Sequence, residues 1–107
     1  MMLFLECSGR RLKLSDEGFL VHARDWDDDV ARLLARTAEG LDELTDEHWT
    51  VIRCIRGHYL ARRRAPQVRA VCQETQLSLK RIYELFPSGP AKGACKVAGL
   101  PRPDGCV

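Results

Sequence analysis

The stretch Thr45-Asp46-Glu47-His48-Trp49-Thr50-Val51-Ile52-Arg53-Cys54-Ile55-Arg56-Gly57-His58-Tyr59-Leu60-Ala61-Arg62 decides the fold class. Trp49, Ile52, Ile55 and Tyr59 recur at helical spacing and define one buried face. Thr45 can cap the first turn, and Arg62, Arg63 and Arg64 gather where the helix dipole favours cations. Such a helix needs partners for its apolar face, and the flanking sequence supplies them on both sides.

Toward the N-terminus, Asp25 or Asp27 can cap another helix, whose stripe is Val30, Leu33 and Leu34 and whose end is Gly40. Asp27, Asp28 and Asp29 read as an acidic first turn complementing the dipole rather than as a metal cluster. Residues 3–6 and 11–14 suit two short strands joined through Ser8-Gly9-Arg10, a hairpin that must lie against helices to be stable. Toward the C-terminus, Pro66 suits the first turn of a third helix with Val68, Val71 and Cys72 inward. Ser78 caps a fourth, with Leu79, Ile82, Tyr83 and Phe86 as its stripe and Pro87 as its stop. Gly89-Pro90 opens a fifth from Ala91 to Ala98, closed by Gly99. The expected fold is therefore mainly α (α+β): one five-helix domain, residues 1–99, with an N-terminal β-hairpin and a helix-turn-helix-like element. Leu100-Pro101-Arg102-Pro103-Asp104-Gly105-Cys106-Val107 is expected to be a flexible arm, because its prolines and glycine exclude regular structure.

Composition narrows the function classes. The chain has 107 residues, 45% hydrophobic and 30% charged, which fits a single ordinary globular domain. A net charge of +2 argues against a protein that coats nucleic acid. No apolar run spans a bilayer, and MMLFLEC has neither the basic region nor the length of a secretion signal, so the expected compartment is the cytoplasm.

Five cysteines are unusual there: Cys7, Cys54, Cys72, Cys95 and Cys106. No Cys-x-x-Cys pair occurs, and neither the cysteines nor His22, His48 and His58 have finger or ribbon spacing, so no metal or other cofactor is expected. Cys54 and Cys72 lie in helical segments and read as small core residues, and Cys7 reads as a strand residue. Cys106 is penultimate on the arm, and Cys95 stands at its root. Prolines 101 and 103 give reach, roughly 25 Å beyond Gly99. Only ten residues separate the two thiols, so the arm can also fold back on itself. An exposed thiol so placed can carry sulfur as a persulfide or exchange disulfides with Cys95 as the resolving thiol. Lys96 and Arg102 flank the pair and could lower its thiol pKa, while the C-terminal carboxylate beside Cys106 would tend to raise it. The plainer reading is a frayed tail with an incidental cysteine, but that needs neither paired prolines nor a second cysteine at the root.

The run Tyr83-Glu84-Leu85-Phe86-Pro87-Ser88-Gly89-Pro90-Ala91-Lys92-Gly93-Ala94-Cys95-Lys96-Val97-Ala98-Gly99-Leu100-Pro101, continued by Gly105-Cys106-Val107, closely resembles the C-terminal signature of the DsrC/TusE family of sulfur relay proteins. Asp16-Glu17-Gly18-Phe19-Leu20 and Leu44-Thr45-Asp46-Glu47-His48-Trp49 are also similar to that family. The resemblance implies a helical domain with a small hairpin and a mobile arm, and a carrier that serves as a protein substrate rather than a turnover enzyme. It implies that Cys106 carries sulfur. It also implies that Cys95 marks the members serving dissimilatory sulfur metabolism, where sulfur from sulfite reduction bridges both thiols as a trisulfide until a membrane-bound reductase releases it. The implied partners are sulfite reductase, other sulfurtransferases, and membrane-bound or heterodisulfide-type reductases. A monomer is expected, with a disulfide-linked dimer through Cys106 as the oxidised alternative.

One departure from the resemblance concerns Gln73 to Arg81, which runs directly into Ile82-Tyr83 with no room for the insertion associated with docking on sulfite reductase. That points to a different sulfur-handling complex. Two further readings stand beside this one. The first is a relay for tRNA 2-thiouridine synthesis, using Cys106 alone. The second is a DNA-binding regulator whose third and fourth helices present Ser78, Lys80 and Arg81, with Arg62, Arg63, Arg64 and Arg69 as a basic flank. Short helix–turn–helix pairs and solvated arginine clusters are common, and the low net charge gives little phosphate affinity.

Overall fold

The computed structural model describes residues 3–101, so Arg102 and Cys106 lie outside the described residues. It bears out a mainly helical α+β fold with one hairpin. Strands β1 (Leu3–Cys7) and β2 (Arg10–Leu14) pair antiparallel, with Leu3 opposite Leu14 and Cys7 opposite Arg10. Each strand is one residue longer than the sequence suggests, because the turn is only Ser8-Gly9, both at positive φ (51° and 80°). That conformation matches the twist of the paired strands. Leu12, Leu14 and Cys7 share the inner face and pack with Leu20, Val30 and Leu34 in one core cluster. On the outer face, Arg11 lies 4.9 Å from the centroid of the Phe4 ring.

A short 3₁₀ turn (Ala23–Asp25) leads to Trp26 and then α1 (Asp28–Glu39). Of the two candidate caps, Asp27 is the one used: its side chain accepts from the Val30 N–H at 2.9 Å. Gly40, at φ 68°, ends α1 with its own N–H bonded to the Arg36 carbonyl and that of Leu41 to the Ala35 carbonyl.

Helix α2 (Asp46–Arg62) runs where expected and is capped by Thr45 in a reciprocal box with His48. His48 Nδ1 accepts from the Thr45 N–H at 3.0 Å, which leaves Nε2–H to donate to the Leu85 carbonyl at 2.9 Å. This buried imidazole also meets Phe86 edge-on and fastens the start of α2 to the end of α4. The inner face of α2 is His48, Val51, Ile52 and Ile55, while Trp49 and Tyr59 are half-buried at its margins.

Helices α3 (Val68–Thr75) and α4 (Leu79–Leu85) follow. Pro66 precedes α3 rather than opening it, and only Val71 of its expected stripe is fully buried. The stripe of α4 is corrected: Ile82, Leu85 and Phe86 are buried, whereas Leu79 and Tyr83 are 45% and 50% exposed. The fifth helix is also corrected. It opens as a π-helical turn (Pro90–Ala94) before the single turn α5 (Cys95–Val97). Leu100, assigned to the arm by sequence, is fully buried in the main core with Val97, Ala98 and Phe86. Among the described residues, no helix is long and apolar enough to cross a membrane.

Candidate functional site

The C-terminal segment is built to hold its root still. Glu39, at the end of α1, accepts from the Ser88 N–H at 3.0 Å and from the Ser88 hydroxyl at 2.7 Å, which fixes the entry to the π-helical turn. Gly93 sits so close to Glu39 and Phe86 that a Cβ there would lie 2.4 Å from Glu39 Oε1. Cys95 follows in the main core, 2% exposed.

The last turn then needs partners for its carbonyls, since a helix end leaves them without intrahelical donors. Side chains from distant elements supply them. Trp26 Nε1–H donates to the Val97 carbonyl at 2.9 Å, and Arg56 donates to the Ala98 carbonyl at 3.0 Å and the Ala23 carbonyl at 2.8 Å. The same guanidinium lies 4.2 Å from the Trp26 ring centroid, a cation–π contact that joins both donors into one clamp. Partial burial lowers the Arg56 pKa from its ordinary value. Gly99 closes the turn at φ 76°, directly over Trp26.

This clamp was missed at the sequence level. Its one local signal is Arg56 four residues after Ile52, a charge placed on an apolar stripe. Removing it should be measurable: Arg56→Met is expected to cost about 2–3 kcal/mol, because two backbone carbonyls lose a charged donor. Arg56→Lys should recover little, since an ammonium cannot reproduce the planar fork. Urea denaturation compares the three proteins, and a Lys variant as stable as wild type would contradict the clamp.

The sequence-derived residues separate as follows. Cys95 is at the root of the segment. Lys96 extends over the Asp16-Glu17-Gly18 turn, with Nζ 5.1 Å from the Phe19 ring centroid. Ser78 is spent as the cap of α4, accepting from the Arg81 N–H at 3.1 Å. Arg81 is paired with both Glu47 and Glu84, and Lys80 is exposed. The Arg81 hydrogen bond holds Glu47 below the usual carboxylate range. This pairing reduces the positive potential that the α3–α4 corner would offer a phosphate backbone.

Cys54 and Cys72 are corrected from core thiols to half-buried ones. Cys54 donates to Glu74 Oε2 at 3.0 Å, and the same oxygen is 2.9 Å from His58 Nε2. Burial first, and then this carboxylate, push the Cys54 thiol up to about 12. Its thiolate therefore gains only as pH climbs well past the ordinary thiol range. At pH 8 Cys54 is expected to alkylate about a hundredfold more slowly than an unperturbed cysteine. Peptide mapping after timed iodoacetamide treatment checks this, and an ordinary rate would refute it.

Comparison with known proteins bears directly on this C-terminal segment. The family model described as DsrC like protein matches residues 6–107. The chain belongs to the DsrC family. The gamma subunit of dissimilatory-type sulfite reductase from Nitratidesulfovibrio vulgaris is 39% identical, with 92% of this chain and 93% of that protein covered. The sulfurtransferase TusE of Photorhabdus laumondii is 38% identical over 99% of this chain and all of that protein. Among solved DsrC structures, the oxidised gamma subunit from Archaeoglobus fulgidus superposes with a TM-score of 0.87 at 42% identity, covering 98% of this chain and 100% of that one. The DsrC of Allochromatium vinosum gives 0.85 at 38% identity, with both chains fully covered.

Proposed function

We propose that this DsrC-family chain is a sulfur carrier of dissimilatory sulfur metabolism, acting as a protein co-substrate between sulfur-handling enzymes. The observation that carries the reading is the Cys95/Cys106 pair, eleven positions apart on a C-terminal segment whose root is clamped. A persulfide donor transfers its outer sulfur to the Cys106 thiolate, and the donor leaves as a thiol. Attack by the Cys95 thiol on the inner sulfur then forms a Cys95–Cys106 disulfide and releases hydrogen sulfide, so electrons and atoms balance. Lys96 and Arg102 lie beside the pair in sequence, and Lys96 extends over the Asp16-Glu17-Gly18 turn. The partners are a sulfite reductase or another sulfurtransferase on one side, and a disulfide-type reductase on the other. The domain comprises residues 1–99 together with the buried Leu100, the residues after it serve as the arm, and the cytoplasm is the compartment.

The test is mass spectrometry of the intact chain, and then of its peptides, after exposure to a low-molecular-weight persulfide. The gain of one sulfur is expected on the C-terminal peptide. Sulfur spread equally over the peptides of Cys7, Cys54 and Cys72 would overturn the reading. The similarity to TusE favours a second reading, a relay in tRNA thiolation. In that case Cys95→Ser would still complement a strain lacking the tRNA relay.

A further inference from the structure

We propose that Cys54, His58 and Glu74 form a binding site for a divalent cation of the zinc class, separate from the C-terminal thiol pair. Cys54 and His58 stand four residues apart on α2, hence on one face of the helix, and Glu74 reaches them from α3. Their donor atoms all lie within 4.8 Å of one another. Two of the pairs are in hydrogen-bond contact: Cys54 Sγ to Glu74 Oε2 at 3.0 Å and His58 Nε2 to the same oxygen at 2.9 Å. Around a four-coordinate zinc, with bonds of about 2.0–2.3 Å, ligand atoms stand roughly 3–4 Å apart. Small side-chain adjustments therefore close the set around a cation.

The chemistry of the set points the same way. A thiol, an imidazole and a carboxylate together suit zinc, or cobalt as its probe, over magnesium or calcium, which take oxygen ligands. In the metal-free form, protons on sulfur and nitrogen occupy the space a cation would fill. On binding, the thiol proton leaves to solvent and the imidazole moves its proton to Nδ1, freeing Nε2, with no electron transferred. Thiolate and carboxylate then neutralise the dication. Of the two arginines that line the same groove and oppose a cation, Arg53 has its guanidinium 3.7 Å from Asp28, which offsets its charge, and Arg62 is left to the two anionic ligands. That groove, about 350 Å³ and open to solvent, leaves room for water as the fourth ligand. A cation held this way would staple α2 to α3.

The experiment is a cobalt(II) titration of the reduced Cys95→Ser/Cys106→Ser chain, which removes the proposed carrier thiols from the readout. A thiolate-to-cobalt absorption band saturating at one cobalt per chain is expected, and zinc should bleach it. Cys54→Ala should abolish the band, and His58→Gln or Glu74→Gln should weaken binding at least tenfold. Glu74 is exposed, so its variant keeps the test valid if Cys54→Ala fails to fold. A band that survives Cys54→Ala, or the lack of any saturable band, would overturn the site. Neither result bears on sulfur loading at Cys106.

Discussion

Cys106→Ser is expected to lose sulfur loading by at least a hundredfold, while Cys95→Ser keeps the first loading step and loses the release of hydrogen sulfide. The asymmetry follows from chemistry and placement. A serine hydroxyl is not ionised at neutral pH and is a poor nucleophile toward sulfur, so the acceptor step has no substitute at position 106. Cys95 cannot take over, because at 2% exposure it is shielded from a donor in solution. Nor can Cys54, whose thiol is pushed up to about 12. Cys95 is instead suited to the proposed second step, in which the attacked sulfur belongs to the same chain and no external partner must enter. Sulfide release measured on the single variants separates the two roles. Full loading of Cys106→Ser would refute the assignment, and sulfide release by Cys95→Ser equal to wild type would remove Cys95 from the mechanism.

The parts of the fold that were legible in sequence are those settled within one or two turns. Thr45 and the apolar stripe behind it located α2, Gly40 and a cap at Asp25 or Asp27 bracketed α1, and Gly9 placed the hairpin turn. The face of α4 was misread because the segment carries two overlapping stripes. Leu79, Ile82, Tyr83 and Phe86 obey helical spacing, and so do Ile82, Leu85 and Phe86. The choice falls to long-range contacts: His48, 37 residues away, binds the Leu85 carbonyl and meets the Phe86 ring. The site divides in the same way. Cys95 and Cys106 stand out by position alone, and Cys54-x-x-x-His58 is a helical i, i+4 pair that spacing could have flagged. Glu74 completes it only after α3 has packed on α2. The clamp is less legible still, since Trp26 meets Val97 across 71 positions and Arg56 meets Ala98 across 42.

That clamp leads to the second large effect. Gly99→Ala is expected to destabilise the protein by about 3–5 kcal/mol, near the upper end for a single methyl group. The backbone at φ 76° costs an L-residue about 1–2 kcal/mol. The remainder comes from collision, because a Cβ at position 99 would stand 2.1 Å from Trp26 Cδ1 and 2.5 Å from Cγ. Either the indole or the turn must move. If the indole moves, its hydrogen bond to Val97 is lost, about 1 kcal/mol, together with a comparable contribution from its contact with Arg56. The two costs can be separated by a double-mutant cycle with Trp26→Ala. On that background the collision is gone, so Gly99→Ala should cost only the 1–2 kcal/mol of backbone strain. Equal costs on both backgrounds would show that the indole does not set the position of the turn. Because Cys95 and Leu100 belong to the same turn, sulfide release should slow in Gly99→Ala even where the protein remains folded. Loading at Cys106, which needs no alignment with Cys95, should be spared, so the ratio of the two rates reports whether the clamp positions one thiol for the other.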